Sequence, residues 1–131
     1  MERVVLVEGD SPVLVIAPHG PDDKNTDLIA ERVAVEAGAY AVINKGWKRS
    51  SHVDFMHDWA NCNDVRHIHS DVVKEEFLEP ILRFKNRIKK KYDENVFVLI
   101  LHGCSDTVRT MANDYSLDVI LGCGAGVPPS G

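Results

Sequence analysis

The stretch from Val96 to Leu101 is the longest uninterrupted apolar run in the 131-residue chain, and it does not alternate with polar residues. A strand of that kind fits a sheet covered on both faces, the usual setting of parallel α/β sheets. Shorter runs repeat the theme. Arg3 to Glu8 and Val13 to Ala17 are β-branched and apolar, Tyr40 to Ile43 reads as a short buried strand, and Leu117 to Leu121 as a further one. Gly9-Asp10-Ser11-Pro12 separates the first two and predicts a hairpin between them.

Helical periodicity fills the gaps. Asn25 stands where it would N-cap a helix bearing Leu28, Ile29, Val33 and Ala37, with Gly38 as its stop. A second helix is expected over Asp71 to Lys91, where Val73, Phe77, Ile81, Phe84 and Ile88 form one apolar stripe. Its acidic start and its Lys89-Lys90-Lys91 end both complement the helix dipole, and Pro80 should kink or divide it. The span from Asn44 to Asn63 reads mostly as loop, with a helical turn near Val53 to Ala60. Strands alternating with helices imply one α/β domain over residues 1–131, a three-layer αβα arrangement with a mixed, mostly parallel sheet. The tail, Gly122-Cys123-Gly124-Ala125-Gly126 and then Pro128-Pro129-Ser130-Gly131, is an unusual end for such a domain. Either it is a free terminus or the chain lacks a C-terminal portion.

Charge narrows the function. Fifteen Lys and Arg against 20 Asp and Glu leave −5, which argues against nucleic acid as a partner, because phosphate neutralisation needs a basic surface. No apolar run approaches the roughly 20 residues of a membrane-spanning helix. The start, MERVVLVEGD, has no apolar core of a secretory signal, and three cysteines (Cys62, Cys104, Cys123) cannot all pair. The expectation is a reduced, cytoplasmic protein.

Two histidines stand directly after two apolar strands, and each is followed by glycine: Pro18-His19-Gly20-Pro21-Asp22-Asp23 and His102-Gly103. Ligands of open α/β sheets bind in the crevice beyond the strand carboxyl ends. Glycine after each histidine lets a ligand or a second backbone approach. A lone histidine there is ordinarily a polar rim residue; the repeated His-Gly suggests more. His19, Asp22 and His102 would make a three-ligand site for zinc or a similar divalent metal, with a fourth position for water. Asp23 is the alternative carboxylate, or else a cap for the helix that follows.

The stretch VLVIAPHGPDDKNTDLIA, with His19-x-x-Asp22, and the strand ending LILHG at His102 resemble the metal-site segments of the N-formylglutamate amidohydrolase family. That family belongs with zinc-dependent exopeptidase-like hydrolases, poly-γ-glutamate hydrolases among them. Ala60-Asn61-Cys62-Asn63 resembles the family's Asn-Arg segment, which helps hold a substrate carboxylate. The resemblance implies a zinc-exopeptidase or phosphorylase/hydrolase-like fold and a zinc-dependent amidohydrolase. It implies a small, acidic substrate, an N-acyl amino acid or a γ-glutamyl compound. Asp64 departs from the pattern, standing where the family usually has arginine, so Arg49, Arg66 or Arg109 with Asn63 would bind substrate. Members are about twice as long and take their general base from the C-terminal portion, so no catalytic acid or base is assigned here. The alternative is a shortened, non-catalytic relative that binds a metal or ligand.

Other features read more plainly. His67 and His69 of Arg66-His67-Ile68-His69 are candidates for lining the site, or else belong to a solvated loop entering the second helix. Trp47 reads as an indole packed down from a surface turn. Glu75 and Glu76 are first-turn helix acids rather than bases. His57 and Asp58 do not share a helix face. The glycine-rich tail lacks the helix and Lys-Ser/Thr end of a phosphate loop, and Cys104 reads as a neutral buried thiol. An incomplete sheet with an exposed edge tends to pair, which is compatible with an oligomer.

Overall fold

The computed structural model describes residues 3–21, 23–47, 71–93 and 95–103, which form a mixed α/β fold around a four-stranded sheet. In chain order these are β1 (Val4–Val7), β2 (Val13–Ala17), α1 (Thr26–Ala37), β3 (Tyr40–Asn44), α2 (Asp71–Val73), a π-helical turn (Lys74–Leu78), α3 (Glu79–Lys91) and β4 (Phe97–Ile100). The sheet order is β1-β3-β2-β4. β2 runs parallel to both β3 and β4, and β1 is antiparallel to β3, with Val4 opposite Asn44.

The expected hairpin does not form: β3 lies between β1 and β2. The Gly9–Ser11 segment crosses the end of α1 instead. Asp10 and Ser11 N–H groups donate to the Gly38 carbonyl at 2.8 and 3.0 Å, and the Ser11 hydroxyl donates to the same oxygen at 3.0 Å. Gly9 is needed there, since a Cβ would lie 2.4 Å from the Gly38 carbonyl oxygen.

Side chains alternate across the strands into two cores. Leu14, Ile16, Tyr40 and Val42 join Val73, Phe77, Ile81, Phe84 and Ile88 on one face. Val15, Ala17, Ala41 and Ile43 join Ala30, Ala34 and Ala39 on the other. The stripe expected in the second helix is therefore buried in full. At about 1.5–3 kcal/mol for each large side chain removed from water, that stripe is a main source of stability. The expected helix is divided as Pro80 suggests: Pro80 stands in the first turn of α3, just after the π-helical turn. There the Glu79 N–H bonds back to Lys74 rather than one residue later. Proline at position 80 has no N–H to offer Glu76, which suits a widened turn.

Three expectations need correction. The buried face of α1 is Thr26, Ala30 and Ala34, while Leu28 and Ile29 are exposed. Small side chains let this helix lie close on β2 and β3, and bulkier ones are turned outward. Asn25 does begin the helix, but with left-handed φ of 67° and no side-chain capping bond. Gly38 stops it as expected, at φ 61°. The run from Val96 to Leu101 is not fully buried: Phe97 and Val98 are exposed on β4, which among the described residues pairs only with β2. Leu117 to Leu121 and the turn near Val53 lie outside the described residues. Among the described residues, no helix is long and apolar enough to cross a membrane.

Candidate functional site

The chain winds from β2 to β3 on one side, then returns past β2 to β4 on the other. β2 and β4 end at the same edge, with Ile16 opposite Ile100 and the Leu101 N–H donating to the Ile16 carbonyl at 2.9 Å. The segments leaving these two strands carry His19 and His102, at the reversal of winding where ligand crevices form in α/β sheets.

Local bonding sets the first of these segments. The Asp23 N–H donates to the His19 carbonyl at 2.7 Å, closing one turn. The Asp23 carbonyl then accepts from the Thr26 N–H at 3.1 Å and the Thr26 hydroxyl at 2.9 Å, which ties that turn to α1. Asn44, fully buried at the end of β3, holds the loop from below. Its Nδ2 donates to the Pro18 and Trp47 carbonyls, both at 2.9 Å, and its Oδ1 accepts from the Gly46 and Trp47 N–H groups. Gly20 lies against this clamp: a Cβ there would stand 2.1 Å from the Asn44 carbonyl oxygen.

His19 is buried, 6% exposed, and His102 stands at the rim with 35% of its side chain exposed. Their ring centroids are 5.4 Å apart, with planes tilted by 37°. Two imidazoles sharing one tetrahedral zinc, with Zn–N near 2.0–2.1 Å, have centroids roughly 5 Å apart. The spacing therefore suits a shared ion. The Asp23 carboxylate lies beside His102, its Oδ2 3.7 Å from His102 Nδ1. Gly103 admits it, because a Cβ at 103 would come within 3.2 Å of the Asp23 Cβ. Among the described residues, no group of three or more His, Cys, Asp or Glu is arranged to hold a metal ion. His19, His102 and Asp23 stand as two neighbouring imidazoles with a carboxylate beside one of them.

Lys45 adds a cation beyond Asn44. Its Nζ lies 2.7 Å from Glu31 and 3.6 Å from Asp27, both on α1. The Glu31 bond, above all, holds the Lys45 pKa above its ordinary value.

The structure thus brings together His19, His102 and Asp23 from the residues expected at the site. Asp22, Arg49, Asn63, Arg66, His67, His69 and Arg109 lie outside the described residues, as does Cys104. The Trp47 indole is packed into the core, 5% exposed. Asn44 and Lys45 were not anticipated. The available signal was a primary amide directly after the buried run of Tyr40 to Ile43, a placement that demands internal partners. Comparison of the chain with family models, with curated proteins and with solved structures gives no match.

Proposed function

We propose that the chain is a metal-dependent amidohydrolase acting on a small N-acyl amino acid or γ-glutamyl compound, similar to N-formylglutamate amidohydrolases. The observation that supports this most is the meeting of two His-Gly segments, from neighbouring parallel strands, with rings 5.4 Å apart. In this proposal the fold is a three-layer αβα sheet of the zinc-exopeptidase kind, and the setting is cytoplasmic.

His19 and His102 would hold the metal, with the third donor from the Asp22-Asp23 pair. Asp22 is the donor that the resemblance implies. Asp23 would then orient His102 through Nδ1, the outer-shell role that carboxylates often play beside metal-bound histidine. When bound, a zinc or similar ion supplies polarisation of the scissile carbonyl and a water acidic enough to attack near neutral pH. Burial of His19 beside the Asn44 clamp would keep its ring in place without a large reorganisation. Recognition of an acidic substrate by this acidic chain needs a local cation. Arg49, Arg66 and Arg109, with Asn63, are the proposed carriers of that role.

Metal content by mass spectrometry tests the proposal on wild type and on His19→Ala, His102→Ala, Asp22→Asn and Asp23→Asn. About one zinc per chain is expected in wild type, lost in both histidine variants and in the aspartate variant that removes the third donor. A wild type that stays metal-free after zinc is supplied overturns the metal site. Zinc retained without hydrolysis of N-formyl-L-glutamate, other N-acyl amino acids or γ-glutamyl compounds overturns the hydrolase.

A further inference from the structure

A cavity of about 440 Å³ opens between β1 and the helix that follows residue 70, on the far side of β3 from the histidines. Its wall is unusual in charge: it carries two guanidiniums, Arg3 and Arg83, and two carboxylates, Glu75 and Glu76. Among the described residues, neither arginine is ion-paired with either glutamate. The opposite charges therefore do not cancel each other in a direct bridge across the cavity.

Two of the four charges are held by one buried side chain. Trp47 takes the Arg3 guanidinium over its ring face, 4.4 Å from the centroid, and donates its Nε1–H to Glu76 Oε2 at 2.5 Å. A single indole from the core thus fixes a cation and an anion on one wall. The two glutamates are consecutive and lie on the π-helical turn, an irregularity that occurs frequently at functional sites. Among the described residues, the remaining lining is apolar, with Val4, Leu6 and Pro80. Leu6 is 42% exposed, although it sits mid-strand.

We propose that this cavity is a binding site for a free aliphatic α-amino acid in its zwitterionic form, separate from the histidine cleft. Arg3 and Arg83 would take the carboxylate, Glu75 and Glu76 the ammonium group, and Val4, Leu6 and Pro80 the side chain. Paired charges of both signs discriminate by themselves. A simple anion meets the two carboxylates and a simple cation meets the two guanidiniums, whereas a zwitterion satisfies both. The volume lies within the range of about 300–1,000 Å³ typical of small-molecule sites. This inference does not depend on the metal site.

The test is backbone amide NMR on the labelled full chain titrated with L-leucine, compared with N-acetyl-L-leucine, which lacks the ammonium, and L-leucinamide, which lacks the carboxylate. Saturable shifts are expected at Leu6, Glu75, Glu76 and Arg83. Each analogue should be at least about tenfold weaker at those amides, as should L-leucine on Arg83→Gln and on Glu75→Gln, because each change leaves one charge unmatched. Both side chains are exposed, so the variants should keep the wild-type spectrum elsewhere. His102→Ala should leave the L-leucine shifts unchanged. The proposal is overturned by absent shifts at millimolar L-leucine, by equal response to either analogue, or by loss of binding in His102→Ala.

Discussion

Asn44 is the polar residue on which the candidate site rests. It is fully buried and uses donor and acceptor together, joining the loop after β2 to the loop after β3. Removing it strands the Pro18 and Trp47 carbonyls and two N–H groups in the interior, at a cost of about 1–3 kcal/mol for each group left unsatisfied. Asn44→Ala should therefore lower unfolding stability by at least about 2 kcal/mol in urea titration. Asn44→Asp keeps the acceptor for Gly46 and Trp47 but sets a buried carboxylate oxygen against the Pro18 and Trp47 carbonyls, so it should be no milder than Asn44→Ala. Equal stability of Asn44→Ala and wild type would show that the clamp contributes nothing.

The elements owe their placement to side-chain size as much as to hydrophobicity. α1 presents Ala30 and Ala34 to a cluster in which Ala17, Ala39 and Ala41 stand beside Val15 and Ile43, which leaves little room for larger side chains on the helix. Leu28, Ile29 and Val35 point away, Val35 being 78% exposed. Enlarging the buried side should force the helix off the sheet: Ala34→Leu is expected to cost about 1–3 kcal/mol. Val35→Ser, on the outer face, should stay within about 0.5 kcal/mol of wild type. Thermal unfolding of the two variants side by side distinguishes this arrangement from one in which the leucine face is inward, where the order would reverse. The helix on the other face needs no such correction. Its large stripe, from Val73 through Ile88, is packed as its periodicity indicates, because no small-residue alternative competes.

For the molecule as a whole, β3 is the strand that joins both sides, paired with β1 and β2 and buried along its whole length. Lys45 continues it and ties its end to α1 through Glu31 and Asp27. Its pKa is raised in the folded state, chiefly by the Glu31 bond, so the native protein holds that proton more tightly than the unfolded chain does. The contribution is complete below the ordinary lysine value of 10.5 and is lost as pH rises through the higher folded value. Denaturant titrations of wild type and Lys45→Met should therefore differ by up to about 1 kcal/mol at neutral pH and converge above pH 10.5. A difference that grows with pH would contradict the assignment.

Much of this organisation was readable along the chain. The strands of residues 13–17 and 40–43, the helix stop at Gly38, the buried stripe and the two His-Gly segments are local patterns, set by side-chain period, backbone conformation and the chemistry of single residues. Other features depended on partners far away in sequence. Gly9-Asp10-Ser11-Pro12 is as compatible with a crossing over Gly38 as with a hairpin, and pairing of β3 between β1 and β2 chose the crossing. An alanine face is a weak hydrophobic signal, and it became the buried face of α1 only by packing against Val15, Ala17, Ala41 and Ile43 of the sheet. Phe97 and Val98 are apolar whether covered or not, and their exposure goes with the position of β4, which among the described residues pairs only with β2. The meeting of His19 with His102, and of Arg3 with Glu76 around one indole, has the same origin. Local sequence sets which residues can form a strand, a helix or a turn, whereas juxtaposition across the sheet is a long-range choice made by packing.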